Sequence, residues 1–374
     1  MNILRRLPLP RLLLLCALVL VIGVSATALA FAIGSGPTPP PKPLAQAIHD
    51  ALGGANGEQI EGVSANVTLT DHLLEGASLA SGGHGGASSP EGELTSSPLI
   101  AGGSGRLWIA KDGHVRLELQ SQKGDTQVLY DGHTLSLYDA ATNTLYRYTP
   151  PAGEGGSGSS TPDTGHHEVP SVAKIEEAIG RLSKHADVSG ATPTDVAGQA
   201  AYTVRVSPNE GGSLFGGVEL SFDAVHGAPL RAAIYSSASA SPVIELAATE
   251  VSYGPVADSV FEVNPPADAR VEEIATPSSG GAHKSAGAGE KPAITTHGHG
   301  PSTIAVLESK IKTDAKGGGG EPLEGLPKVT IDGASASELR TELGTLLSFE
   351  RGGVRYLLAG SVTPAAIEEV ARGL

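Results

Sequence analysis

At 374 residues the chain is long enough for two globular units, and with 40% hydrophobic residues it is not a wholly disordered polymer despite 50 Gly and 26 Pro. The formal net charge is −15; Arg5, Arg6 and Arg11 are the only charged side chains before Lys42, so the rest carries −18, which sets nucleic acid aside as a partner. The one cysteine, Cys16, lies in the N-terminal apolar run and leaves the body without a disulfide or a cysteine metal cluster.

Residues 11–33, RLLLLCALVLVIGVSATALAFAI, are long and apolar enough to span a bilayer as a helix of roughly 34 Å, against a hydrocarbon core of about 30 Å. The three arginines precede the run and nothing basic follows until Lys42, so the N-terminus stays cytoplasmic and the body lies outside. Residues 1–33 therefore read as an uncleaved signal anchor in the cell membrane. Two alternatives stand beside it: Ala28-Leu29-Ala30 has the small-residue pattern of a signal-peptidase site, and Leu13-Leu14-Leu15-Cys16 faintly suggests a lipoprotein box. A Pro-rich spacer, 34–43, is then expected to lift the body off the membrane.

A short helix is predicted over Leu44–Leu52, with Leu44, Ile48 and Leu52 on one face. From Val63 the pattern turns to period two. After a Gly/Ser-rich insertion (76–98), strands are predicted at Gly105–Ala110, His114–Gln120, Thr126–Tyr130, Thr134–Tyr138 and Thr144–Tyr148. Asp112-Gly113 and Asp131-Gly132 between them are hairpin signals, so the run reads as an antiparallel meander. A second loop (151–168) leads to a helix over Val172–Leu182, capped by Ser171 and striped by Ile175, Ile179 and Leu182. Further strands follow at Ala200–Val206, Gly217–Asp223, Pro229–Tyr235 and Val243–Val251. Residues 273–301 read as a flexible linker and 302–374 as a small α+β unit, with strands at Thr303–Leu307, Pro327–Ile331, Thr345–Glu350 and Val354–Ala359, a short helix at Ser337–Leu343 and a terminal helix capped by Thr363.

The succession Gly62-Val63-Ser64-Ala65-Asn66-Val67, Gly105-Arg106-Leu107-Trp108, Tyr130-Asp131-Gly132-His133-Thr134-Leu135 and Asn143-Thr144-Leu145-Tyr146-Arg147 resembles the LolA/LolB-like superfamily, including lipoprotein-sorting carriers and the N-terminal domain of RseB/MucB regulators. Ala200-Ala201-Tyr202-Thr203-Val204, Gly227-Ala228-Pro229-Leu230-Arg231 and Val260-Phe261-Glu262-Val263-Asn264-Pro265-Pro266 extend the resemblance over residues 44–272. It implies an α+β fold, a curved antiparallel half-barrel with helices on its concave face. The apolar interior would hold acyl chains or meet a partner protein. Trp108, Leu117, Leu119, Leu135, Leu137, Ile175, Ile179, Leu220 and Phe222 are the expected lining.

A search for chemistry finds nothing comparable. Ser171-Val172-Ala173-Lys174 matches S-x-x-K but sits at a helix start without the companion motifs. His166-His167-Glu168 and His297-Gly298-His299 lie in Gly/Ser/Thr-rich stretches without helical metal spacing, and Gly317–Gly320 lacks the Lys-Ser/Thr of a phosphate loop. The sequence thus points to a binding protein rather than an enzyme, with no cofactor and no metal. Its expected partner is a hydrophobic ligand such as a lipid or lipoprotein acyl chain, or alternatively a membrane protein such as an anti-sigma factor.

Overall fold

A computed structural model of the chain describes residues 36–53, 60–74, 98–122, 124–150, 169–274, 293–310 and 326–374. The expected span at 11–33, nearly all of the insertion at 76–98, the loop at 151–168 and most of the linker lie outside them. Among the described residues no helix is long and apolar enough to cross a membrane.

The larger sheet contains β1 (Gly62–Asp71), β2 (Gly103–Ala110), β3 (Val115–Ser121), β4 (Gly124–Tyr130), β5 (Leu135–Asp139), β6 (Thr144–Tyr148), β7 (Ala186–Val188), β8 (Thr192–Val196), β9 (Gln199–Pro208), β10 (Phe215–Asp223), β11 (Pro229–Ser236), β12 (Pro242–Tyr253) and β13 (Arg270–Glu273). Its order is β13-β6-β5-β4-β3-β2-β1-β12-β11-β10-β9-β7, with β8 also on β9. Two meanders are thus fused along the β1–β12 pair, which a bulge at Asn66/Val67 interrupts. All pairings from β1 to β12 are antiparallel; β13 alone runs parallel, beside β6.

The predicted turns are the observed ones. Gly113 and Gly132 take φ of 90° and 87°, the left-handed values an L side chain resists. Asp131 fastens its turn by accepting the His133 and Thr134 amides at 2.9 and 2.6 Å. Three short strands, β7, β8 and β13, escaped prediction, because three to five residues carry too little periodicity to register.

Helix α1 (Leu44–Gly53) packs Ala47 against Tyr202 and Phe222, and its Asp50 is held by Lys42 at 2.6 Å. A one-turn helix, α2 (Pro98–Ala101), lies across β1, β3 and β4. Helix α3 (Val172–Leu182) packs on α1. Ser171 does occupy its N-cap position, but through its carbonyl, which accepts the Ile175 amide at 3.1 Å; the hydroxyl makes no capping bond. The described part of the Pro-rich stretch is not a free spacer. Pro39 is buried and the Tyr202 hydroxyl donates to the Pro40 carbonyl at 2.6 Å, so the strap is seated on the body.

A second sheet has the order β14 (Ala293–His297), β15 (Ile304–Lys310), β19 (Val354–Gly360), β18 (Gly344–Arg351), β17 (Ala334–Thr341), β16 (Lys328–Ile331), with helix α4 (Pro364–Arg372) on its core face. Two expectations are corrected here. Residues 293–297, placed in the linker, form a strand, and the short helix expected at Ser337–Leu343 is the greater part of β17. Glu, Leu and Arg favour a helix there, but Asp332-Gly333, with φ of 46° and 85°, turns the chain into a hairpin, and pairing on both sides overrides propensity. The two sheets are joined by the Leu214 amide on the Ser361 carbonyl (2.8 Å) and the Glu342 amide on the Leu73 carbonyl (3.2 Å).

Candidate functional site

Strand alternation gives the larger sheet two unlike faces. Cross-strand register sets Ala65, Leu107, Leu117, Val128, Leu137 and Tyr146 in one row. A parallel row runs Leu69, Leu246, Ala232, Leu220 and Val204, so the apolar face continues from β6 to β9. Leu117, Leu119 and Leu135 are buried there in one cluster with Val67, Leu107, Val115 and Leu246, and Leu137 packs half-buried against it. Leu99 of α2 also rests on this cluster. Among the described residues that single turn is the helix lying over the β1–β4 part of the face, whereas α1 covers the β9–β10 part.

The remaining expected lining residues fall elsewhere. Phe222 is buried in a separate small cluster under α1, and Leu220 is half-buried beside it on the same face. Ile175 is buried and Ile179 half-buried on α3, which packs on α1 rather than on the main cluster. Trp108 is a correction. It is half-buried but stands directly opposite Ser64 and Arg116, on the other face, because Leu107 and Ile109 already take the apolar side and period two leaves Trp108 no other place.

The other face is polar and carries a charge network that sequence reasoning missed. Arg231 donates through Nη1 to Glu219 and through Nη2 to Glu245 Oε2 at 2.7 Å and to the Tyr235 hydroxyl at 3.1 Å. Burial alone would ease the proton off Arg231; the hydrogen bonds to Tyr235 and Glu245 outweigh it and hold its pKa above the ordinary arginine value. Burial pushes the Tyr235 hydroxyl up, against the pull of Arg231. The signal was present as a charge within each of three apolar strands, Glu219, Arg231 and Glu245, but only the register brings them together.

Beside the network, β8, β9 and β10 border an open polar recess of about 380 Å³ whose walls include Thr192, Thr194, Asp195, Thr203, Arg205 and Glu219. Thr194, Thr203 and Ser221 form a hydroxyl chain with steps of 2.9 and 2.7 Å. At the end of β10, Asp223 accepts the Tyr253 hydroxyl at 2.6 Å; burial and this bond together raise the Tyr253 pKa. Among the described residues no three His, Cys, Asp or Glu side chains gather in a way that could hold a metal ion.

No family model and no curated protein matches the chain. Solved structures do. MucB in complex with MucA(peri) is 16% identical, with 88% of this chain and 94% of that one covered at a TM-score of 0.39. The MucA/MucB complex of Pseudomonas aeruginosa is 15% identical, with the same coverage and a TM-score of 0.40. A LolA superfamily protein from Nitrosomonas europaea is 7% identical over 85% of this chain and 90% of that one, at a TM-score of 0.20. The chain is similar to MucB and LolA-superfamily structures; at these values the likeness says nothing of ligand or partner.

Proposed function

We propose that this chain is a membrane-tethered, extracytoplasmic binding protein that takes a hydrophobic group, such as an acyl chain of a lipid or lipoprotein, onto the apolar face of its larger sheet. The observation that carries this reading is the cover: a continuous apolar face over β1–β4 overlain by the one-turn helix α2, whose Leu99 is the side chain packed on the main cluster. A four-residue helix is easily displaced, since its own hydrogen bonds contribute little. Hiding roughly 400 Å² of acyl surface contributes on the order of 10 kcal/mol at about 25 cal/mol per Å², before ordering costs and re-exposure of Leu99 are subtracted. No catalytic group is required.

The test is to purify the full chain without detergent, extract it and analyse the extract by mass spectrometry. Stoichiometric lipid is the expected result; an extract free of lipid counts against an acyl ligand. A second reading, docking on a membrane protein such as an anti-sigma factor through the C-terminal unit, draws support from β14, an uncharged edge strand with Ile294 62% exposed. Crosslinking in cells separates the two, because a carrier yields lipid and no membrane protein adduct.

A further inference from the structure

The docked strap fixes where the body can sit relative to a membrane. At Gly36 the backbone already lies against the Asp195 side chain of β8, so close that a Cβ there would overlap the carboxyl group. Only Gly34 and Ser35 separate Gly36 from Ile33, the last residue of the apolar run. Three Cα steps reach about 10 Å at most, and about 20 Å if only some twenty residues of the run lie in hydrocarbon. The headgroup layer on each side of the core is roughly 5–8 Å deep. With Gly36 against Asp195 and the strap seated by the Tyr202–Pro40 bond, so short a tether holds this edge of the body nearest the bilayer.

We propose that the β8–β9 hairpin edge, with the polar recess beside it, is the membrane-facing surface of this protein and rests among phospholipid headgroups. The proposal depends on residues 11–33 being an uncleaved anchor, as in the functional reading above. The chemistry of the edge suits the place. It presents Thr192 and Asp195 exposed, with the hydroxyl chain of Thr194, Thr203 and Ser221 behind them. Hydroxyls of this kind can donate to a lipid phosphate. The acidic body is not drawn to an anionic leaflet by its overall charge, so the tether, rather than the field, selects this edge.

The second sheet stands at the far end. Strand β9 runs ten residues from Gln199 at the hairpin to Pro208, roughly 30 Å at about 3.3 Å per residue, and the joint between Leu214 and Ser361 lies beyond that end.

The test places a fluorophore on the full chain, in a Cys16→Ser background, at Thr192→Cys or at Glu369→Cys of α4. The protein is reconstituted in phosphatidylethanolamine/phosphatidylglycerol vesicles containing a headgroup-attached quencher lipid. Quenching at Thr192 at least threefold stronger than at Glu369 is expected, and Gln199→Cys should repeat the Thr192 result should that variant fold poorly. Equal quenching at both ends, or stronger quenching at Glu369, overturns the proposal. Intact mass of the membrane fraction tells the two readings apart: a chain beginning near residue 31 means the anchor was cleaved, whereas full mass with unquenched Thr192 means the anchor stands and the orientation is wrong.

Discussion

Arg205 and Glu219 stand directly opposite each other on β9 and β10, yet the Arg205 guanidinium lies over the Tyr235 ring, 4.1 Å from its centroid, while Glu219 binds Arg231 and the Tyr235 hydroxyl. Arg231 is therefore shared between two carboxylates, Glu219 and Glu245, whose side chains are only 18% and 8% exposed. Its loss would remove the guanidinium to which both carboxylates are hydrogen-bonded.

Arg231→Leu should accordingly lower unfolding free energy by about 3–5 kcal/mol, the usual result of breaking a buried pair from one side. Adding Glu219→Gln and Glu245→Gln to that variant should recover part of the loss, since the uncompensated charges disappear with the base. Denaturant unfolding of the three proteins decides the matter. A cost below 1 kcal/mol for Arg231→Leu alone would mean water already solvates these groups.

Asp71 ends β1 on the apolar face, in step with Val67 and Leu69, and its carboxylate accepts the Leu73 amide at 2.6 Å. Burial raises its pKa from 3.8 to about 6, the Leu73 bond opposing only part of the rise. Because the folded value exceeds the unfolded one, the fold prefers the protonated acid: its contribution is full below pH 3.8 and is lost as pH rises through about 6. Asp71→Asn keeps the acceptor for Leu73 and removes the charge. It should match the parent near pH 4 and exceed it by about 1–3 kcal/mol at pH 7.5. Unfolding curves at the two pH values test this, and an equal difference at both would show that Asp71 does not titrate in this range.

The meander was legible because Asp112-Gly113 and Asp131-Gly132 mark its hairpins and strands such as β1 and β3 alternate buried and open positions, so local pattern and final pairing agree. Trp108 differs for another reason: a large aromatic suggests the core by its type, whereas the alternation of Leu107 and Ile109 decides its side. At Ser337–Leu343 residue type favours a helix, whereas the Asp332-Gly333 turn beside it decides for a strand. The Arg231 network joins Glu219 to Glu245 and the recess joins Thr192 to Glu219, through strand register that a single sequence does not encode visibly.

Gly105 and Gly113 separate two costs of replacing glycine. A Cβ on Gly105 would run into the Glu118 carbonyl of β3, backbone that cannot move without opening the β2–β3 pair. At Gly113 nothing lies within 4 Å, and the only obstacle is its φ of 90°. Gly113→Ala should cost about 1 kcal/mol in backbone strain, whereas Gly105→Ala should cost about 2–3 kcal/mol through forced displacement. Thermal unfolding of both variants checks the order, and a harmless Gly105→Ala would show that β2 and β3 can separate locally.

The placement of Trp108 yields a test of which face takes the ligand. It is the single tryptophan of the chain, so intrinsic emission at 295 nm excitation comes from one position. It stands across from Arg116, whose Nη1 donates to the Val260 carbonyl at 2.6 Å; the segment that follows β12 thus crosses this side of the sheet, away from Leu117 and Leu119. An acyl ligand lodged on the apolar face does not touch the indole, so titrating a saturated fatty acid should leave the emission maximum within about 2 nm while an acyl probe read by its own fluorescence reports binding. Tyr148 and Tyr130, which do stand on the apolar side, would carry the change instead, and moving the indole there with Tyr148→Trp and Trp108→Phe should restore a blue shift on binding. A strong shift of Trp108 in the native chain would place the hydrophobic ligand on the polar face and overturn the assignment of the apolar row as the binding surface.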